Sequence, residues 1–502
     1  MAIRRALSIS PPPALTAALL AFALLPLSAA FAQDGSILTY HGDNSRSGQY
    51  VVPALSWAKV GSVQLDRTFN ARVAGAMYAQ PLYWRPPGAS TATLFVATED
   101  DVVQAFDATT GKEIWKRAIG RAVRASSLPC GNINPLGITG TPVIDPATEA
   151  IYFDAAVEQA NGPRHEVFAL STRDGTVLPG WPIDVADALR RSGRQFDPRV
   201  QNQRAALTLL DNTLYVAFSG HFGDCGDFHG WVVGLSLHDP SKLVSFETRA
   251  RGGGIWSPGG PSVAGHDIYF ATGNTFGATS WSDGEAVFRV GAGLRRSDDK
   301  RDYFAPSDWK TLDAHDADLG GSNPLPLDVP GAGGNRALIL ALGKDGKAYL
   351  LDRNRLGGVG GQLAVETVSQ SLIITAPATY RVGNDVFVAF RASGTHCPPG
   401  RGHDLTVLKI TAGPPPAMAA AWCGAVRGRG SPIATTTDGH SDPIVWMLGA
   451  EGDDRLHAFR GDTGEPIFVS EPLSGLRRFQ TPIATHDRLY VGADEQIYAF
   501  KF

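Results

Sequence analysis

The chain has 502 residues, of which 43% are hydrophobic and 19% are charged. This is an ordinary globular composition, and it allows a large buried core. The formal net charge of -4 gives no electrostatic case for binding nucleic acid or anionic membranes. Glycine and proline are abundant, with 57 and 34 copies, as expected for many short strands joined by turns.

The N-terminal segment has the three parts of a secretory signal peptide. Arg4 and Arg5 form the positive end, residues 14–27 form the apolar run, and residues 30–32 (AFA) form a small-residue cleavage site. The apolar run is short for a membrane span, and no later stretch is apolar enough to be one. We therefore expect residues 33–502 to be a periplasmic or secreted protein, exported by the general or the twin-arginine route.

The segment AFDATTGKEIW, at residues 105–115, is typical of a turn between two strands. Asp107 can hydrogen-bond within its own turn, and Gly111 can adopt the positive φ that such a turn requires. Trp115 ends the motif with a large ring and an N–H donor. We expect this side chain to pack against the next repeat and to bond a backbone carbonyl there.

The strand pair that contains this turn recurs along the chain. Eight copies lie at residues 94–106, 151–170, 214–237, 268–290, 338–352, 386–410, 444–459 and 489–500. A shorter apolar strand precedes each copy, and in seven copies it follows a proline: Pro81, Pro142, Pro261, Pro324, Pro377, Pro432 and Pro482. The third copy has Ala206 there, and later copies of the turn end in Trp181 or, in place of tryptophan, Phe468.

The pattern of repeats predicts the fold. Four-strand units that cannot bury both faces alone must stack, and radial stacking produces a β-propeller. We predict an all-β protein, an eight-bladed β-propeller of four-stranded antiparallel blades, with residues 33–502 as one domain. Val185–Arg191 is a short candidate helix. The last copy ends at Phe502 after its third strand, so we predict that residues 60–73 supply its outer strand and close the ring.

The four cysteines agree with export into an oxidising compartment. They are Cys130, Cys225, Cys397 and Cys423, and four cysteines allow three connectivities. We predict Cys130–Cys225 and Cys397–Cys423, because each pair would tie long loops of neighbouring repeats. The alternative is four free, buried thiols. No CxxCH motif occurs, so no covalent haem is expected.

Several motifs resemble one family. AFDATTGKEIW resembles the tryptophan-docking repeat of the quinoprotein dehydrogenases, which are eight-bladed propellers that bind pyrroloquinoline quinone (PQQ). Four further segments of this chain resemble segments of exported PQQ-like propellers. They are LTYHGDNSRSGQY (38–50), GITGTPVIDP (137–146), FHGWVVG (228–234) and GGGIWSPGGP (252–261). The resemblance covers nearly all of residues 33–502. It implies the fold without specifying a substrate.

The resemblance also implies a pocket on the propeller axis. Trp256 would lie beneath the quinone ring, Lys344 would contact the quinone oxygens, and Asp316 would take the alcohol proton as general base. Asn274 matches an asparagine that ligates calcium. The alternative interpretations are structural: a tryptophan that packs between blades, a turn asparagine, and charged residues in a solvated loop or at a strand end.

The sequence departs from the family at two points. The dehydrogenases usually have a vicinal cysteine pair above the quinone, and no adjacent cysteines occur here. They also have a glutamate calcium ligand in the third repeat, where SGHFGDCGDFHG (219–230) offers only Asp224 and Asp227. Asp227 stands with Asn274 as a candidate calcium ligand, but a shorter side chain must come from nearer. The departures count against calcium and leave PQQ as the implied cofactor.

Two functions are consistent with the sequence. The first is a PQQ-dependent oxidoreductase that acts on an alcohol or sugar hydroxyl and passes electrons to an acceptor. The second is a non-enzymatic propeller that has lost the cofactor and binds a protein or glycan partner through its loops. The matched pocket residues favour the first function, and the missing cysteine pair and glutamate favour the second.

Overall fold

The computed structural model describes Met1 and residues 35–86, 88–397 and 404–502. The predicted signal peptide falls, apart from Met1, outside the described residues. Within them, eight sheets follow one another along the chain and confirm the predicted all-β, eight-bladed propeller. No helix in this described part is both long and apolar enough to cross a bilayer.

The first three blades follow a short N-terminal segment. Three short strands precede blade 1: β1 (Gln49–Val51), β2 (Gln64–Leu65) and β3 (Ala71–Arg72). Blade 1 contains β4 (Leu82–Trp84), β5 (Thr93–Ala97), β6 (Val102–Asp107) and β7 (Glu113–Ala118). Blade 2 contains β8 (Val143–Asp145), β9 (Ala150–Gln159), β10 (Gly162–Ser171) and β11 (Ile183–Asp184). Blade 3 contains β12 (Gln201–Asn202), β13 (Thr208–Leu210), β14 (Thr213–Gly220), β15 (Trp231–Ser236) and β16 (Leu243–Glu247).

The remaining blades continue the pattern. Blade 4 contains β17 (Ser262–Ala264), β18 (Asp267–Thr272), β19 (Ala286–Val290) and β20 (Tyr303–Ala305). Blade 5 contains β21 (Leu325–Gly331), β22 (Gly334–Leu342), β23 (Lys347–Asp352) and β25 (Ala364–Thr367). The short strand β24 (Gly358–Val359) lies between β23 and β25 in the chain but is not part of this sheet. Blade 6 contains β26 (Ala378–Val382), β27 (Asp385–Arg391), β28 (Leu405–Thr411) and β29 (Ala417–Gly424). Blade 7 contains β30 (Ile433–Thr436), β31 (Ile444–Leu448), β32 (Leu456–Arg460) and β33 (Pro466–Val469). Blade 8 contains β34 (Ile483–Ala484), β35 (Arg488–Ala493) and β36 (Gln496–Lys501).

The innermost strands begin where the sequence predicts. Each of the seven prolines lies immediately before the first strand of its blade, and Ala206 lies two residues before β13. Proline has no backbone N–H to give to a ladder, so it is suited to the position just before a strand.

The N-terminal segment closes the ring, as predicted. β2 pairs antiparallel with β36, with Gln64 opposite Lys501 and Leu65 opposite Phe500. β3 pairs with the other end of the same strand, with Ala71 opposite Ile497. Blade 8 therefore takes its outer strand from the beginning of the chain. In addition, β1 joins blade 7 in parallel with β30, which the sequence did not predict.

The tryptophan of the turn motif joins neighbouring blades. The Trp115 indole N–H of blade 1 donates to the Thr172 carbonyl of blade 2 at 3.0 Å. Trp422 of blade 6 makes the same kind of bond to the Gly461 carbonyl of blade 7, at 2.8 Å. Phe468 contacts Phe500 of blade 8 edge-on, with ring centroids 6.3 Å apart. An aromatic side chain at this position therefore packs onto the next blade.

Two helices interrupt the β-structure of the described residues. α1 (Val185–Arg191) is the predicted one, and Asp184 caps it by accepting a hydrogen bond from the Asp187 N–H at 2.8 Å. α2 (Trp309–His315) was not predicted from the sequence and ends at Asp316 in left-handed geometry, with φ of 51°. Single 3-10 turns occupy Val60–Ser62, Ala125–Ser127 and Leu319–Gly321.

Both predicted disulfides are present. Cys130–Cys225 joins the connection between blades 1 and 2 to the β14–β15 loop of blade 3. Cys397–Cys423 joins two parts of blade 6. The expectation that each bridge ties neighbouring repeats is therefore wrong for the second one, because the β27–β28 loop folds back onto β29 of its own blade.

Candidate functional site

A cavity of about 780 Å³ lies on the propeller axis. Every one of the eight connections that lead into a blade contributes a residue to its wall. In chain order these residues are Tyr78, Asn132, Arg204, Trp256, Asp316, Thr375, Arg429 and Arg477. A volume of this size is typical of a site for a small molecule or cofactor.

Trp256 lies in the connection between β16 and β17. Its indole N–H donates to Asp318 Oδ2 at 3.1 Å. The preceding Gly254 packs so closely that a Cβ there would meet the Ser219 side chain, 2.0 Å from Oγ. The glycine run of GGGIW therefore allows the chain to approach blade 3 and hold the tryptophan at the cavity wall.

Lys344 and Asp316 meet beside this tryptophan. The Lys344 ammonium lies 5.1 Å from the centroid of the Trp256 ring. It is 2.8 Å from Asp316 Oδ1 and 2.6 Å from Asp318 Oδ2. The structure thus brings together three residues from separate segments that the sequence singles out, Trp256, Asp316 and Lys344.

Asp318 is the residue that sequence reasoning missed. Its side chain is only 4% exposed, whereas that of Asp316 is 65% exposed. Besides Trp256 and Lys344, it accepts a hydrogen bond from the Asn274 backbone N–H at 2.8 Å. The only signal in the sequence is the last aspartate of DAHDAD, a segment that is equally typical of a solvated loop.

The charge of Lys344 is stabilised by its neighbours. Burial acts to lower its pKa, but Asp318 and Asp316 outweigh that effect and raise the pKa above its ordinary value. Lys344 is therefore cationic at neutral pH, and its ammonium offsets part of the negative charge of Asp316 and Asp318 beside Trp256.

The two candidate calcium ligands lie elsewhere. Asn274 is buried, uses its backbone N–H to hold Asp318 and does not line the cavity. The Asp227 side chain is 84% exposed, lies 3.9 Å from His229 Nε2, and is also outside the cavity wall. Among the described residues no group of three or more His, Cys, Asp or Glu side chains is arranged to hold a metal. Asp316 and Asp318 already share the Lys344 ammonium, so the donor set does not fit calcium.

Asp224 lines the cavity in the segment where the family has its glutamate. Burial, with help from the nearby Asp318 and Asp316, raises its pKa to about 6. The Arg251 guanidinium holds this loop by donating to the Asp224 carbonyl, and it lies 4.2 Å from the centroid of the Phe276 ring. The Cys130–Cys225 bridge fixes the adjacent residue.

The cavity wall also contains basic residues. Five arginines line the cavity: Arg204, Arg391, Arg429, Arg477 and Arg478. They come from blade 6 and from the connections into blades 3, 7 and 8, so no local motif marks them as a group. Sequence reasoning missed them for this reason.

Comparison with known proteins supports the assignment of the fold. Residues 56–290 match the family model PQQ_2, described as outer membrane protein assembly factor BamB. No curated protein matches the sequence.

Solved dehydrogenase structures share the fold at low identity. Quinohemoprotein alcohol dehydrogenase from Comamonas testosteroni is 14% identical, with a TM-score of 0.65 over 94% of this chain and 81% of that chain. A second quinohemoprotein alcohol dehydrogenase, from Pseudomonas putida HK5, is 13% identical, with a TM-score of 0.66 over 94% and 81% of the two chains. A europium-containing methanol dehydrogenase is 12% identical, with a TM-score of 0.64 over 93% and 91%. The resemblance found in the sequence is thus confirmed for the fold: the chain has the β-propeller fold that these dehydrogenase structures share.

Proposed function

We propose that this protein is an exported, quinone-dependent oxidoreductase that oxidises an alcohol or sugar hydroxyl and passes the electrons to an acceptor. The observation that carries the proposal is the convergence of Trp256, Lys344 and Asp316 at one wall of the axial cavity. These are the residues that the family resemblance implies, and they come from three separate connections and loops.

The cavity is suited to PQQ, a flat tricyclic acid. Trp256 offers an aromatic surface, and the Lys344 ammonium lies beside it at the cavity wall. Gly321 lies close to the tryptophan, where a Cβ would be 3.4 Å from the indole ring and 2.7 Å from the Ile373 carbonyl. When bound, PQQ supplies a two-electron oxidant that accepts a hydride.

We assign the proton chemistry to residues of the chain itself. Asp316 Oδ1 is held by Lys344 at 2.8 Å, and Asp316 is exposed enough to contact a substrate hydroxyl. Asp316 would accept the hydroxyl proton as general base. Asp318 is enclosed by Trp256 and Lys344, so its role is to position them.

Turnover by an Asp316 variant tests the assignment of the base. Asp316→Asn should reduce turnover at least about a hundredfold, which is the contribution typical of general-base catalysis, while PQQ binding remains unchanged. Asp328→Asn, an exposed carboxylate on β21 of blade 5, is the matched control. An unchanged rate in Asp316→Asn would remove this residue from the mechanism.

Binding of the cofactor is tested separately. We expect titration of the purified protein with PQQ to quench tryptophan fluorescence saturably. Trp256→Ala should abolish the quenching, whereas Trp57→Ala should retain it, because Trp57 bonds the Pro443 carbonyl of blade 7 and is not part of the cavity wall. Absence of binding to the wild-type protein at micromolar PQQ would contradict the proposal.

A second candidate function is a non-enzymatic binding platform. It is favoured by the match of residues 56–290 to a family model described as an assembly factor, and by the lack of the cysteine pair and the glutamate. In that case PQQ would not bind, and the loops around the cavity would contact a protein or glycan. Oxidation of alcohols by the purified protein with added PQQ and an artificial electron acceptor would exclude this alternative.

A further inference from the structure

We propose that the cavity has a second subsite, the arginine subsite, in which Arg204, Arg391 and Arg429 bind a carboxylate of the substrate. The substrate class is then an alcohol that also carries an acid group, such as a sugar acid. The oxidation of that substrate rests on the proposed function, but the binding of the acid does not.

The charges of the five cavity arginines are not all balanced by the protein. Arg477 pairs with Asp494 at 2.7 Å, and Arg478 pairs with Glu451 at 2.7 Å. Arg204, Arg391 and Arg429, in contrast, have no carboxylate within ion-pair distance among the described residues. Three cations therefore remain available to an anion.

Arg204 is the most enclosed of the three. Its guanidinium lies 5.4 Å from the centroid of the Phe479 ring. Burial lowers its pKa and Arg478 contributes in the same direction, while the nearby Tyr78 and Glu99 act against this shift. A desolvated cation that has no direct salt bridge is costly, and a bound oxyanion would reduce this cost.

Arg391 and Arg429 are the other two arginines of the subsite. The Arg391 guanidinium is oriented by two acceptors, the Gly428 carbonyl at 3.2 Å and Ser371 Oγ at 3.1 Å. Burial lowers the pKa of Arg391 and the charge of Arg429 lowers it further, while Asp404 acts in the opposite direction. Two guanidinium groups that repel each other beside a cavity are a suitable arrangement for a bidentate carboxylate.

A buried hydroxyl supplies an independent indication of a ligand. Thr375 is 0% exposed and lines the same cavity. Its Oγ1 has no hydrogen-bond partner among the described residues. Buried hydroxyls are normally bonded, so this hydroxyl without a partner is a candidate donor to a ligand in the cavity that its residue lines.

The cavity wall carries charges of both signs. Asp316 and Asp318 lie on the connection into blade 5, whereas Arg391 and Arg429 come from blade 6 and the connection into blade 7; at blade 3 the loop of Asp224 and the connection of Arg204 both reach the cavity. A hydroxy acid placed with its carboxylate at the arginines would be kept in one orientation by the repulsion between its acid group and the aspartates. Its hydroxyl would then be directed toward Asp316.

The test measures binding to the full-length mature protein without PQQ. Isothermal titration calorimetry is performed with D-gluconate and with D-glucitol. The two compounds differ only at one end, where gluconate has a carboxylate and glucitol has a CH2OH group. We expect gluconate to bind saturably and glucitol not to bind. The double variant Arg391→Gln/Arg429→Gln should weaken gluconate binding at least about tenfold, the lower end expected for lost charge-assisted bonds.

The controls separate this proposal from its alternatives. Arg117→Gln, on the exposed outer strand of blade 1, should leave gluconate affinity unchanged, and circular dichroism verifies that each variant is folded. Equal binding of glucitol, no binding of gluconate at millimolar concentration, or full affinity in the double variant would overturn the proposal.

A final competition experiment determines whether the arginines bind the carboxylate of the substrate or the carboxylates of PQQ. Gluconate should still bind when the protein is saturated with PQQ, and displacement of one by the other would show that the arginines serve the cofactor and would overturn the proposal. If the protein does not bind PQQ, the proposed function is wrong. The titration with gluconate still tests the arginine subsite in that case, because it is performed without PQQ.

Discussion

Asp318 connects the parts of the candidate site. One of its oxygens accepts hydrogen bonds from Trp256 and Lys344, and the other accepts from the Asn274 N–H. The approach to the main chain is close, since a Cβ on Gly273 would lie 2.6 Å from Asp318 Oδ1. This carboxylate therefore determines where the aromatic ring and the ammonium lie.

Asp318→Asn should lower the free energy of unfolding strongly. The pair with Lys344 is buried, and removing one partner of a buried pair costs about 3–5 kcal/mol. Asp316→Asn is the matched control, because its exposed carboxylate should contribute less than about 1 kcal/mol. Equal effects of the two variants in urea unfolding would contradict this assignment.

Asp101 is a second buried carboxyl, with a different consequence. It is 0% exposed, and both its oxygens lack a partner among the described residues. Burial, with Glu99 and Asp154 nearby, raises its pKa from 3.8 to about 9. The folded protein therefore retains a proton that the unfolded chain releases, and this contribution to stability is lost as the pH rises from about 4 through about 9.

Asp101→Asn should therefore stabilise the protein increasingly as the pH rises. We expect the variant to have a higher Tm than the wild type at pH 8, with the difference shrinking toward pH 4. Asp100→Asn, at the exposed neighbouring residue, should change the Tm little at any pH. A difference for Asp101→Asn that does not vary with pH would contradict the raised pKa.

At the scale of elements, the blades are joined by an aromatic ring that packs on a glycine turn. Gly175 of blade 2 has φ of +70°, and a Cβ there would lie 2.7 Å from the Trp115 ring of blade 1. Two requirements coincide at this glycine: left-handed geometry and space for the indole.

Gly175→Ala should be more destabilising than an ordinary replacement of a left-handed glycine. The left-handed conformation alone costs about 1–2 kcal/mol, and the contact with Trp115 adds to it. Gly193→Ala separates the two terms, since Gly193 has φ of +78° and nothing within 4 Å of the added Cβ. Urea unfolding should show a larger loss of unfolding free energy for Gly175→Ala than for Gly193→Ala. Equal losses would mean that the Trp115 ring moves aside without destabilising the protein.

At the scale of the whole molecule, stability depends on closing the ring. Asp66 follows β2 and binds Arg488 of β35, with 2.6 Å between Oδ2 and Nη1. The two side chains are 3% and 13% exposed. This pair therefore ties the beginning of the propeller to its last blade.

Asp66→Ala should weaken the closure and shift the cooperative unfolding of the entire ring. Loss of one partner of a buried pair is expected to cost about 3–5 kcal/mol. Asp487→Ala is the control on the same arginine, because Asp487 is 54% exposed and lies 3.8 Å away. A loss of stability in the control as large as in Asp66→Ala would show that the closure does not depend on Asp66.

Much of the architecture could be predicted because each blade is a local unit. A proline before the first strand, alternating apolar residues and a turn such as AFDATTGKEIW all act within one repeat. The count of eight blades and the closure by residues 60–73 followed from counting these units. The pairing of β1 with β30 could not be predicted, since it joins residues 49–51 to residues 433–436 without any shared motif.

The site was predictable only where the family resemblance marked a residue. Trp256, Lys344 and Asp316 are found together, but the calcium candidates Asn274 and Asp227 lie outside the cavity wall. The importance of Asp318 depends on burial, which distinguishes it from Asp316 two residues earlier and which the local sequence does not show.

The sequence by itself determined the strands, their number and the positions of the turns, because hydrogen bonding between consecutive strands and the geometry of proline and glycine are local. Only the tertiary structure decided the composition of the cavity. Eight connections that are far apart in the chain meet on the axis, and this curvature brings arginines and aspartates of different blades into one cavity wall. Charge and burial at the axis result from the closed ring and from no single repeat.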